Sequence, residues 1–125
     1  MGRMKIVLLQ PAALLVSVLL VAGCGQVSLS EDERFERAQQ HEEAGDLRAA
    51  SIELRNLLQQ NPNHAEGRMA LGTVSLALGD IATARAELAR ARELGADSAM
   101  LRIPQARLAL AEGEYGPGAR TPRRG

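Results

Sequence analysis

Aromatic side chains are nearly missing from this chain of 125 residues: Phe35 and Tyr115 are the two present, and there is no tryptophan. That leaves neither a stacking platform for bases nor an aromatic cage for a quaternary cation. Cysteine occurs once, at Cys24, which excludes an intrachain disulfide and a multi-thiolate metal centre. Excess charge is missing too, with 15 basic and 15 acidic side chains, so no basic footprint for nucleic acid exists. Catalytic motifs are also lacking: there is no HExxH, CxxC, nucleophile elbow or phosphate loop. His41, beside Glu42 and Glu43, and His64, two residues before Glu66, lack metal-ligand spacing and read as surface polar groups. The run Glu31-Asp32-Glu33 after Ser30 reads as a helix start, with Ser30 and Glu33 forming a capping box, and not as paired catalytic carboxylates. The expectation is a protein that is not an enzyme and uses no cofactor, metal, nucleic acid or small-molecule substrate.

What is present begins with the setting of the single cysteine. Arg3 and Lys5 form a positive start and Ile6 to Val21 a mainly apolar stretch, and the small residues Ala22 and Gly23 precede Cys24. The cleanest apolar part, Ala12 to Ala22, falls short of the roughly 20 residues of a spanning helix. This is the layout of a cleavable secretory signal. Val21-Ala22-Gly23-Cys24 reads as a lipobox, cut between Gly23 and Cys24. The thiol would take a diacylglyceryl group and the freed amine a further acyl chain such as palmitate. Two or more chains give stable anchoring, each buried methylene contributing roughly 0.8 kcal/mol. Gly25 and Gln26 follow, with no Asp at the second mature position, which favours the outer over the inner membrane, on the periplasmic side of the envelope. Removal of residues 1–23 takes two basic residues and no acid, so the mature chain has net charge −2 and every remaining base is Arg.

The rest of the chain repeats. Glu43-Ala44-Gly45-Asp46-Leu47 returns 34 residues on as Ala77-Leu78-Gly79-Asp80-Ile81, and after another 34 as Ala111-Glu112-Gly113-Glu114-Tyr115. A period of 34 is that of the tetratricopeptide repeat, a helix-turn-helix unit. The expected fold is all-α: unit 1 over 31–64, unit 2 over 65–98 and a partial unit 3 over 99–115, after a signal (1–23) and an acylated spacer (24–30). First helices are expected over Asp32–Glu43, Ala65–Leu78 and Ala99–Ala111. Leu47, Ala50, Leu54 and Leu57 form the apolar stripe of one second helix, stopped at Pro62, and Ile81, Ala84, Leu88 and Ala91 that of the next, ending near Gly95. Ala38, Gly72 and Ala106 take the small position where paired helices approach, as Ala50 and Ala84 do on the second helices. Gly45, Gly79 and Gly113 are each expected to end a first helix in a left-handed conformation, with Asp46 or Asp80 starting the next helix.

Three features depart from the repeat. Arg34 and Arg68 stand where a bulky aromatic is frequent, with Phe35 and Met69 alongside to fill that space. Pro104 either begins the regular part of its helix or kinks it. From Gly116 onward two prolines, three glycines and no apolar stripe replace a second helix, so 116–125 is expected to be disordered and reads as a truncated or frameshifted end ahead of a basic interaction arm.

The runs Ala89-Arg90-Ala91-Arg92-Glu93-Leu94-Gly95-Ala96-Asp97 and Pro104-Gln105-Ala106-Arg107-Leu108-Ala109-Leu110-Ala111-Glu112-Gly113-Glu114-Tyr115 carry a further likeness. With Asp46-Leu47-Arg48-Ala49-Ala50 and Leu57-Leu58-Gln59-Gln60-Asn61-Pro62 placed after a lipobox and a short spacer, the chain resembles the N-terminal region of the PEP-CTERM system TPR-repeat lipoproteins over Leu14 to Tyr115. The resemblance implies a longer array of repeats, linked to exosortase-type sorting and exopolysaccharide production in Gram-negative bacteria. The expected role is a lipid-anchored scaffold that contacts a protein or peptide partner in the envelope. The alternatives are a structural assembly lipoprotein for outer-membrane or pilus complexes, and a non-functional fragment. Stacked units present a concave face, and Arg34, Arg37, His41, Arg68, Thr73 and Ser75 are the polar candidates to line it.

Overall fold

The computed structural model describes residues 28–115, and the signal, the lipobox at Cys24 and the tail from Gly116 lie outside them. Five helices follow one another: α1 (Glu31–Glu43), α2 (Leu47–Gln60), α3 (Ala65–Ala77), α4 (Ile81–Glu93) and α5 (Ser98–Tyr115). No strand occurs among the described residues. α1 packs on α2 and α3 on α4 as hairpins, α3 also meets α2, and α5 lies against both α3 and α4.

Each start is fixed by a side chain that serves an orphan amide. Ser30 and Glu33 form the reciprocal box, with Glu33 N–H on Ser30 Oγ at 3.3 Å and Ser30 N–H on Glu33 Oε2 at 2.8 Å. The backbone and side-chain bonds from Ser30 hold the Glu33 carboxyl below its ordinary pKa. Asp46 accepts from Ala49 N–H and Asp80 from Thr83 N–H, both at 3.1 Å. His64 is a start that the sequence reading misses. Far from being a surface group, it is half-buried, caps α3 by accepting Gly67 N–H on Nδ1 at 2.9 Å, and its ring lies 5.4 Å from that of Phe35.

Three of the four turns use one device. Gly45, Gly79 and Gly95 have φ of 77°, 80° and 86°, and the amide after each bonds five residues back: Asp46 to His41, Asp80 to Ser75 and Ala96 to Ala91. The expectation for Gly113 is corrected, because it lies inside α5. Where Asp46 and Asp80 cap the following helix, position 114 is Glu, a poorer cap, and a helical glycine costs only about 1 kcal/mol. A methyl group at Gly79 would project into open space, so Gly79→Ala meets only the backbone penalty. We expect a loss of roughly 1 kcal/mol in urea denaturation, and equal stability would contradict the left-handed turn.

The core is built on the small positions. Ala38, Ala50, Leu54, Leu57, Leu58, Leu71 and Val74 form one buried cluster, and Leu88, Ala91 and Leu101 the next. Gly72 is buried against α4 so closely that a Cβ there would lie 2.7 Å from Leu88 Cγ. Ala106, the third residue in that register, is exposed, which corrects its expected burial. No second helix follows α5 among the described residues to cover it. Pro104 sits inside α5 without ending it, buried on the side toward α3.

Candidate functional site: a concave groove across the first helices

The first helices α1, α3 and α5 line one open groove of about 540 Å³. α1 contributes Phe35, Gln39 and Glu42, α3 contributes Glu66, Met69, Ala70 and Thr73, and α5 contributes Met100 and Pro104. The lining keeps the 34-residue register: Phe35 with Met69, Gln39 with Thr73, Glu66 with Met100, and Ala70 with Pro104. Equivalent residues of successive units therefore sit side by side along the groove.

Its floor is apolar and its charge is acidic. Phe35, Met69 and Met100 supply the apolar surface, two of them flexible thioethers that adapt to a ligand's shape. Glu42 and Glu66 are the ionisable lining residues, and no Arg, Lys or His stands with them. Burial raises the Glu42 carboxyl above its ordinary pKa, and no cation pairs with it among the described residues. A carboxylate desolvated without a counter-ion is a site that a ligand's cation would satisfy.

Of the six polar residues expected to line the groove, Thr73 does so, its hydroxyl donating to Met69 O at 3.0 Å. Arg34 and Arg68 turn instead toward the second helices, pairing with Glu53 at 3.3 Å and Glu87 at 2.7 Å. One residue of a helix turns the side chain by about 100°, enough to carry positions 34 and 68 off the groove face that 35 and 69 occupy. Phe35 and Met69 accordingly line the groove, and the aromatic's usual place is taken by ion-paired arginine. Arg68 also donates from Nε and Nη2 to Pro62 O at 3.0 and 2.9 Å, tying the unit junction. Arg37 is exposed and His41 half-buried, both away from the lining, and Ser75 is only 2% exposed within the helix packing, so it cannot line the groove. The lining residues that polarity overlooks do carry a signal, namely the 34-residue pairing of Phe35 with Met69 and Glu66 with Met100.

Paired helices of one period, stacked through small residues and open along their first helices, are the architecture of one repeat class. A family model described as a tetratricopeptide repeat matches residues 41–111. The chain belongs to the tetratricopeptide repeat family. No curated protein and no solved structure matches it. Repeats of this class mediate protein-protein interaction, and the groove described above lies across their first helices. Among the described residues no helix is long and apolar enough to cross a membrane, and no His, Cys, Asp or Glu cluster of metal-holding geometry occurs.

Proposed function

We propose that this tetratricopeptide repeat chain is a lipid-anchored adaptor of the bacterial envelope whose groove holds a peptide segment combining apolar anchors with a Lys or Arg. The observation that carries the reading is the groove itself, apolar along Phe35, Met69 and Met100 and flanked by Glu42 and Glu66 with no base among its lining. The lipobox ending at Cys24 supports a diacylglyceryl anchor, and the absence of Asp at the second mature position supports the outer membrane, on the periplasmic side. The likeness to PEP-CTERM system lipoproteins supports a place in exosortase-linked sorting and exopolysaccharide production.

The peptide chemistry has a direct test. Selection of displayed peptides on the chain starting at residue 24 is expected to enrich segments with a base beside apolar residues. Met69→Glu is expected to abolish their binding, and Glu42→Gln with Glu66→Gln to weaken it about tenfold. Enrichment of acidic peptides, or binding indifferent to Met69→Glu, would overturn the reading. The pH dependence follows from Glu42. Its folded pKa is raised, so between the ordinary value of 4.5 and the raised one the protonated form is favoured in the fold and stability falls as pH rises. A bound cation favours the ionised form, so affinity is expected to rise with pH through the same window. Glu42→Gln should flatten that rise in an anisotropy titration.

A further inference from the structure

Among the described residues every sulfur atom lies at the groove: Met69 and Met100 are the two methionines there, and both line it. Both also line an adjoining hollow of about 450 Å³ beside the α4–α5 turn, together with Glu66, Gly95 and Asp97. The two thioethers are therefore reached from either side.

Their settings differ. Met69 is half-buried and packs against the cluster of Leu88, Ala91 and Leu101. Met100 is 59% exposed in the first turn of α5, where its neighbour Leu101, 1% exposed, makes the contact with that cluster. A polar atom added to Met69 would be forced against the core, whereas at Met100 it meets water and leaves the seat of α5 unchanged. Met100 is the sulfur that can change polarity without cost to the fold. The lining also selects the oxidant. Glu42 and Glu66 are its ionisable groups, so an anionic oxidant is repelled and an uncharged peroxide is not.

Given the partner-binding role proposed for the groove, on which this rests, we propose that Met100 is a modification site. A peroxide oxidises it to the sulfoxide, and the change switches the groove from holding an apolar anchor to releasing it. The sulfur lone pair attacks one peroxide oxygen and the S–O bond forms as the O–O bond breaks. The proton of the transferred hydroxyl passes to the departing oxygen, which leaves as water. Sulfur gives up two electrons and the peroxide takes two. The product presents a dipolar, hydrogen-bond-accepting oxygen where the partner's anchor met a soft thioether, and covering that oxygen without a donor is unfavourable. Sulfoxide reductases return the thioether, so the switch is reversible.

The test uses the chain starting at residue 24 with Cys24→Ser, which removes a competing thiol, and a fluorescein-labelled peptide from the selection described above. Mass spectrometry is expected to show hydrogen peroxide oxidising Met100 about fivefold or more faster than Met69, and saturating peptide slowing the reaction at Met100. The chain oxidised at Met100 should bind the peptide about tenfold more weakly with unchanged circular dichroism, and methionine sulfoxide reductase with dithiothreitol should restore the affinity. Met100→Leu has a starting affinity of its own, and the same peroxide exposure should leave that affinity where it began. Faster oxidation of Met69, equal binding before and after oxidation, or a loss that persists in Met100→Leu would each overturn the switch and leave the groove reading intact. Absence of binding by the untreated chain would remove the groove reading and the switch with it.

Discussion

Gly72→Leu is expected to destabilise the domain by about 3 kcal/mol or more, while Ala106→Leu at the same register of the next unit changes stability by less than about 0.5 kcal/mol. A Cβ at Gly72 would meet Leu88 Cγ at 2.7 Å, Leu88 Cδ2 at 2.9 Å and the Leu88 backbone N at 3.3 Å. Leu88 is 1% exposed and packed with Ala91 and Leu101, so its side chain has nowhere to swing, and the backbone nitrogen sets a hard limit. α3 and α4 would have to separate, opening the joint between the two core clusters. Such a loss is a large part of the roughly 5–15 kcal/mol that holds a domain folded. Leu at Ala106 meets no covering helix. Urea denaturation of both variants reads the contrast directly, and similar midpoints would show that the close approach at Gly72 is not what holds the second hairpin.

Cys24→Ser is the second large effect, and it bears on the proposed anchor. A serine hydroxyl cannot form the thioether that carries the diacylglyceryl group, and lipid-dependent cleavage before residue 24 then fails. With two or more acyl chains lost, each methylene contributing roughly 0.8 kcal/mol, stable attachment goes with them. Labelled palmitate is expected in the wild-type chain and absent from the variant, which should accumulate as unprocessed precursor. Normal processing and membrane fractionation of the variant would remove the lipoprotein reading.

The helices and their joints are legible in the sequence because each rests on a local rule. Ser30 with Glu33, Asp46, Asp80, Gly45 and Gly79 act on neighbours a few residues away, and the stripes Leu47-Ala50-Leu54-Leu57 and Ile81-Ala84-Leu88-Ala91 repeat at helical spacing. Gly113 misleads because a turn glycine works only with a good cap after it, and Glu114 is not one. The groove misleads for a different reason. Polarity points to Arg34, Arg68 and Ser75, yet the face each takes depends on where the neighbouring helix packs. Arginine stems can cross apolar surface to reach a carboxylate, so charge alone does not place them on the open side. His64 is hidden likewise, since histidine is not among the usual N-cap residues, yet its Nδ1 accepts Gly67 N–H.

The central claim is that the first helices of the stacked hairpins form the surface that holds a partner. Its most direct test is a nuclear magnetic resonance titration of the chain with a selected basic-apolar peptide. Amide shifts are expected at Phe35, Gln39, Met69, Thr73 and Met100, with Arg48 and Ile52 on α2 and Arg85 on α4 unmoved. Shifts confined to α2 and α4, with Phe35 and Met69 still, would contradict it.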